Sequence, residues 1–208
     1  MRVGLINIGL GNIASILNML KQIGVSAHLI NGPADCFNSD IIILPGVGHF
    51  DEGIRAIHRA DLFEPLLELI NEGRVRILGI CLGMQLLCRG SEEGNAQGLG
   101  IIDAEVKKFS FSSESRLKVP HMGWNAVLAT RESILLSSTR EQRFYFVHSY
   151  KDIPSDPGIV IGLANHGGEF CAAFQQGGVF GVQFHPEKSH RFGMELMRSF
   201  IEPQKVLV

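Results

Sequence analysis

Cys81 stands between two glycines in the run Ile77-Leu78-Gly79-Ile80-Cys81-Leu82-Gly83-Met84-Gln85. A glycine two positions to either side is the spacing that lets a nucleophile elbow turn from strand to helix without side-chain clash. At the first turn of a helix the thiol would face unpaired backbone N–H groups and the positive end of the helix dipole, both of which favour thiolate. The alternative is a small buried thiol in an ordinary α/β turn. A sulfur nucleophile also needs a proton carrier, and Val182-Gln183-Phe184-His185-Pro186-Glu187 offers one at the end of an apolar run. In an extended backbone His185 and Glu187 project to the same side, so the carboxylate can orient the imidazole while the other ring nitrogen faces the sulfur. A polar surface histidine is the plainer reading of that residue alone. Acyl chemistry further requires donors for a developing oxyanion. The turn Pro45-Gly46-Val47-Gly48 is placed to supply the N–H of Val47 or Gly48 beside that of Leu82, although taken alone it is also an ordinary Pro-Gly turn.

These groups must be carried by a framework. The first half alternates short apolar runs with helix-like periodicity: strands over Arg2–Ile8, Val25–Ile30, Asp40–Leu44 and Arg76–Ile80, and helices over Asn12–Ile23, Ile54–Asn71 and Leu82–Cys88. Strands separated by helices imply parallel βαβ units, which bring the turns after Leu44 and Ile80 to one carboxyl-end crevice. After Gly98 the segments shorten. Ile101–Phe109, Asn125–Ala129, Phe144–Val147, Ile159–Ala164, Phe170–Phe174 and Val179–Phe184 read as strands in antiparallel pairing, interrupted by a polar patch at Ser110–Ser115 and closed by a helix over Phe192–Ile201. The expected fold is α/β: an open, mostly parallel sheet flanked by helices, with antiparallel strands in the second half. No internal repeat or linker divides it, so residues 1–208 are expected to form one domain.

With 208 residues, 45% hydrophobic and 19% charged, the chain can bury a full core. Its formal net charge of −2 gives no basic footprint, so nucleic acid is not an expected partner. No apolar stretch reaches the ~18–20 residues of a membrane span, and the start lacks an export signal, so a cytoplasmic location is expected. The four cysteines show no C-x-x-C spacing and are expected to be reduced thiols, with Cys88 a core residue.

Other candidates carry less. Gly9-Leu10-Gly11-Asn12-Ile13-Ala14 fits a dinucleotide-binding pattern, but the second strand ends at Asn31 without an acidic residue for a ribose, so no cofactor is expected. His49, His121, His148, His166 and His190 form no metal spacing, and no metal is expected. Phe144-Tyr145-Phe146 reads as strand core.

The elbow, the Pro-Gly turn and Gln183-Phe184-His185-Pro186-Glu187-Lys188-Ser189 together resemble class-I, triad-type glutamine amidotransferases. Pro120-His121-Met122-Gly123-Trp124-Asn125, Tyr145-Phe146-Val147-His148-Ser149-Tyr150 and Pro45–Phe50 narrow the resemblance to the glutaminase branch that serves imidazole glycerol phosphate formation. The resemblance covers essentially the whole chain and implies a flavodoxin-like core. It implies Cys81 as nucleophile, His185 as acid and base, Glu187 as its orienter, and an oxyanion hole at Val47, Gly48 and Leu82. Gln85, Glu93, His148 and Ser149 then hold L-glutamine. Ammonia passes to a (β/α)₈ cyclase or synthase subunit in a heterodimer, whose docking face includes Gly11, Asn12, His121, Met122, Trp124 and Asn125. Where relatives often carry Asp-Tyr-Gly, this chain has Asn7-Ile8-Gly9. The same glutaminase chemistry also serves sugar amidation for surface polysaccharide in some relatives, with a different acceptor synthase. A fold-retaining binding module and a cysteine protease or esterase are the competing classes. The complete Cys-His-Glu set speaks against the first, and Gln85, Glu93 and the 121–125 motif have no role in the second.

Overall fold

Ile41-Ile42-Ile43-Leu44 is apolar at every position, which suits a strand covered on both faces. The computed structural model describes residues 1–112 and 114–202; Ser113 of the expected polar patch lies outside the described residues. In chain order the elements are β1 (Val3–Ile6), α1 (Ile13–Gln22), β2 (Ala27–Ile30), α2 (Pro33–Phe37), β3 (Ile41–Gly46), α3 (Phe50–Arg59), α4 (Phe63–Asn71), β4 (Arg76–Cys81), α5 (Leu82–Leu86), β5 (Gly90–Ser91), β6 (Ala104–Lys108), β7 (His121–Ala129), β8 (Gln142–His148), β9 (Tyr150–Pro154), β10 (Val160–Asn165), β11 (Glu169–Gln176), β12 (Val179–Val182) and α6 (His190–Ile201).

The sheet runs β2-β1-β3-β4-β12-β11-β10-β7-β8. Its first five strands pair in parallel, and from β12 onward the pairing is antiparallel. β6 lies antiparallel to β9, which touches β11 at Asp152 and Cys171. Successive side chains point to opposite faces. Leu5, Ile41, Ile43, Leu78 and Val182 therefore pack with α1 and α6 residues such as Ile16, Leu20, Leu196 and Phe200. Ile6, Ile42, Leu44 and Ile77 pack on the other face with Ile54, Ile57, Leu66 and Leu69 of α3 and α4.

Four differences from the sequence reading have physical causes. The single helix expected over Ile54–Asn71 is two, because Asp61 takes φ 54° and turns the chain between α3 and α4. The sequence reading missed α2 and β9. β12 departs from antiparallel pairing in the second half, inserting in parallel beside β4 with Val182 opposite Ile80, and β6 likewise runs parallel to β5. Finally, His185 and Glu187 are not on an extended backbone, since Pro186–Lys188 forms a 3₁₀ turn.

The β12 placement puts the residues after Val182 at the same sheet edge as Cys81. At that edge β3 and β4 are also in register, Gly46 opposite Cys81. The turn into α5 is packed against β3 without room for a side chain. A Cβ on Gly83 would sit 1.8 Å from the Leu44 carbonyl oxygen, and one on Gly79 would sit 2.6 Å from the Gly83 oxygen. Gly83→Ala is accordingly expected to lower stability by about 3 kcal/mol or more, read by thermal or denaturant unfolding; an unchanged melting curve would contradict this packing.

Candidate active site

Cys81 is held at φ 55° and ψ −112°, a region that a residue bearing a Cβ adopts only under strain. The glycines on either side let the backbone make that turn, and the chain enters α5 immediately afterwards. The side chain lies at the edge of a cavity of about 310 Å³ that is also lined by Val47, Gly48, Leu82, Gln85, Glu93, Pro120, Val147, His148, Ser149 and Tyr150. All seven residues expected at the oxyanion and glutamine positions are among them. Gly48 sits at φ +106° with open space around it, so the backbone there is free of side-chain crowding.

His185 follows β12, and its N–H donates to the Tyr145 carbonyl of β8 at 2.9 Å, which fixes the backbone from the far side of the sheet edge. Its Nδ1 meets Glu187 Oε1 at 2.8 Å, and both side chains are 2% exposed. Because an ionised carboxylate can only accept, Nδ1 carries the proton and Nε2 is left for the sulfur. Nε2 and Glu187 Oε2 are buried without a hydrogen-bond partner. Burial pulls the imidazolium down, but the Cys81 sulfur and the Glu187 carboxylate outweigh it and raise the His185 pKa to about 9. The imidazole is thus poised to hold a proton beside Cys81.

A polar chain surrounds the sulfur. Gln183 is fully buried. Its Nε2 donates to Cys81 Sγ at 3.7 Å, and its Oε1 accepts from Gln85 Nε2 at 2.9 Å. The sequence reading gave Gln183 no role. Its place in the motif two residues before His185, on an otherwise apolar strand, was the available signal. Glu93 has a second duty that was not foreseen: Oε2 accepts from the Phe50 N–H at 2.8 Å, capping α3 while the carboxylate lines the cavity.

Cys88 offers no competing nucleophile. It is enclosed, and burial followed by the neighbouring Asp152 charge pushes its thiol well above the ordinary range. It donates to Asp152 Oδ1 at 3.2 Å, and burial raises that carboxyl to about 7.

The residues expected at a docking face divide. Met122 and Trp124 are exposed on β7, with Trp124 stacked 5.5 Å from His190, so it is not core filler. Gly11 and Asn12 are half-buried. A Cβ on Gly11 would lie 3.2 Å from Pro45, which places this turn against the Pro-Gly turn. His121 is corrected: it is 5% exposed and turned inward, where it meets His148, so it presents nothing to a partner. Asn125 is half-buried and also turned toward it, at 3.1 Å from His121 Nε2. No group of three His, Cys, Asp or Glu side chains among the described residues could hold a metal ion, and no described helix is long and apolar enough to cross a membrane.

A thiol at a strained strand-to-helix turn, a carboxylate-oriented imidazole, and a cavity lined by the turn after β3 define a glutaminase-type site. The chain belongs to the class-I glutamine amidotransferase family, whose model matches residues 4–203. Among known proteins it is 46% identical to imidazole glycerol phosphate synthase subunit HisH 2 of Pseudomonas aeruginosa, over 95% of this chain and 97% of that one. It is 42% identical to the subunit of the same name from Methanococcus maripaludis, over 96% and 98%. It is also 40% identical to the chloroplastic imidazole glycerol phosphate synthase hisHF of Arabidopsis thaliana, over 97% of this chain and 34% of that longer protein. Solved structures agree on the fold. A glutamine amidotransferase crystal structure superposes with TM-score 0.77 at 18% identity over 97% of both chains. PurLQS from Thermotoga maritima gives 0.73 at 18%, over 98% of this chain and 99% of that one.

The His185–Glu187 pair has a consequence for stability. A histidine whose folded pKa lies above its unfolded value of about 6.5 stabilises fully below that pH, and the contribution disappears as pH rises through the folded value. Stability contributed here is therefore expected to fall between about pH 6.5 and about 9. Glu187→Gln should be less stable than the parent at pH 6 and converge with it toward pH 10, measured by melting temperature across that range; parallel curves would contradict the assignment.

Proposed function

We propose that this chain is the glutaminase subunit of imidazole glycerol phosphate synthase, releasing ammonia from L-glutamine for histidine biosynthesis. The observation that carries the chemistry is the His185–Glu187 pair, its imidazole coupled to the strained Cys81 that lines the cavity. The names of the high-coverage relatives support the histidine-pathway acceptor over sugar amidation.

The Cys81 thiolate adds to the side-chain amide carbon of glutamine, and the carbonyl oxygen takes the negative charge. The N–H of Leu82, with that of Val47 or Gly48, faces that oxygen; one such donor is worth about 3 kcal/mol of barrier. His185, protonated at Nε2, passes the proton to the amide nitrogen as the C–N bond breaks, leaving ammonia and a γ-glutamyl thioester. His185 then removes a proton from water as it attacks the thioester carbon, and the proton returns to sulfur as glutamate departs. Glu187 keeps Nδ1 protonated throughout. Glu93 supplies the counter-charge for the substrate ammonium, and Gln85, His148 and Ser149 complete the pocket wall.

Ammonia protonates in bulk water and loses its nucleophilicity, so the product must pass directly to a synthase. A (β/α)₈ cyclase subunit docking over Gly11, Asn12, Met122, Trp124 and Asn125, in a heterodimer, would receive it. Exposed Trp124 is the aromatic anchor of that face.

Cys81→Ala is expected to remove glutamine hydrolysis by about three orders of magnitude or more. An electrophilic glutamine analogue should label Cys81, and the cyclase subunit should co-purify and raise turnover. Labelling at Cys88, or hydrolysis unaffected by Cys81→Ala, would overturn the reading.

A further inference from the structure

Gln183 is a fully buried amide in a position where leucine or methionine would fill the same volume. Burying an amide is unfavourable unless both ends are satisfied. Both are, and the donor and acceptor sense of each bond is fixed by the Tyr150 carbonyl, which also receives the end of a histidine chain that begins on β7. The His148 Nδ1–H donates to the Tyr150 carbonyl at 2.7 Å, since a carbonyl can only accept. His148 Nε2 is then bare and accepts from the His121 Nδ1–H at 2.9 Å. His121 Nε2 is in turn bare and accepts from Asn125 Nδ2 at 3.1 Å. Burial lowers His148 to about 3 and His121 to about 4, so both rings are neutral, as this order of donors requires. The Tyr150 carbonyl also accepts from Gln85 Nε2 at 3.4 Å, and the same nitrogen donates to Gln183 Oε1. With its oxygen so engaged, Gln183 can turn only its NH₂ toward the nucleophile, and Nε2 lies 3.7 Å from Cys81 Sγ.

We infer that Gln183 is a positioning residue for the nucleophile: it donates a hydrogen bond to the Cys81 sulfur, and its orientation is set by Gln85, itself oriented by the Tyr150 carbonyl. The inference rests on the proposed glutaminase reading. A donor on this side of the sulfur keeps the anion in one rotamer and leaves its other face to the cavity. Hydrogen bonds to a charged acceptor are stronger than those to a neutral one, so the contact matters most in the thiolate form. A merely structural role, bridging β12 to α5 through Oε1, would not need the donor.

Two variants separate these roles, each checked for folding by its melting curve. Gln183→Met loses donor and acceptor. Gln183→Glu keeps the acceptor for Gln85, but its ionised carboxylate cannot donate to sulfur. Both should lower kcat and the rate of Cys81 alkylation by iodoacetamide by about tenfold to a hundredfold at pH 8–9, with KM for glutamine within about twofold in Gln183→Glu, which keeps the acceptor for Gln85. For Gln183→Glu the ratio to the parent alkylation rate should rise as pH falls toward 6, because a protonated carboxyl regains a donor. A ratio near one at every pH, or parental alkylation in Gln183→Met, would overturn the inference. Without any substitution at 183, the Gln183 side-chain amide resonances should move when Cys81 is alkylated in ¹⁵N-labelled protein; unmoved resonances would also overturn it. Failure of these tests with Cys81→Ala still inactive removes only the inference, whereas hydrolysis surviving Cys81→Ala removes the function beneath it.

Discussion

The backbone at Cys81 is strained and cannot relax, because the helix that follows is pressed against the neighbouring strand. A Cβ on Gly83 would overlap the Leu44 carbonyl oxygen, and one on Gly46 would come within 2.9 Å of Leu82 Cβ. The chain therefore leaves β4 in one direction only, and the positive φ of Cys81 is the consequence. The surrounding apolar packing, with Leu44, Leu82, Met84 and Leu86 all fully buried or nearly so, over-determines that geometry. Strain of this kind persists where the rest of the fold stabilises it by more than it costs.

From that fixed point the electrostatics follow. β12 lies beside β4 and both strands end at the same edge, which brings an imidazole from far along the chain next to the sulfur. Removing His185 from water disfavours its charge, yet the adjacent sulfur and the 2.8 Å contact with Glu187 restore the protonated imidazole. The contrast with Cys88 isolates the cause. Both thiols are buried, but Cys88 faces a carboxyl, whose charge adds to burial in silencing it, whereas Cys81 faces an imidazole and an amide donor.

Polar atoms around the site also tie the cavity wall to the outer strands. The Tyr150 carbonyl receives donors from both His148 and Gln85, so one backbone oxygen joins β8 to α5. Glu93 caps α3 while facing the same cavity.

The sequence alone identified the cysteine elbow, the Pro-Gly turn, the His-x-Glu pair and the alternation of strand and helix, because each is written in residues close together in the chain. Glycine spacing reports backbone freedom, and apolar periodicity reports the faces of β1, β3 and β4. What it could not decide was which strands become neighbours. The parallel insertion of β12 beside β4, the break at Asp61, the 3₁₀ turn that replaces an extended His185–Glu187 segment, the inward turn of His121 and the place of Gln183 against sulfur all depend on contacts between distant segments. Those contacts are chosen by burying both faces of one sheet at once, a condition that no local stretch of residues encodes.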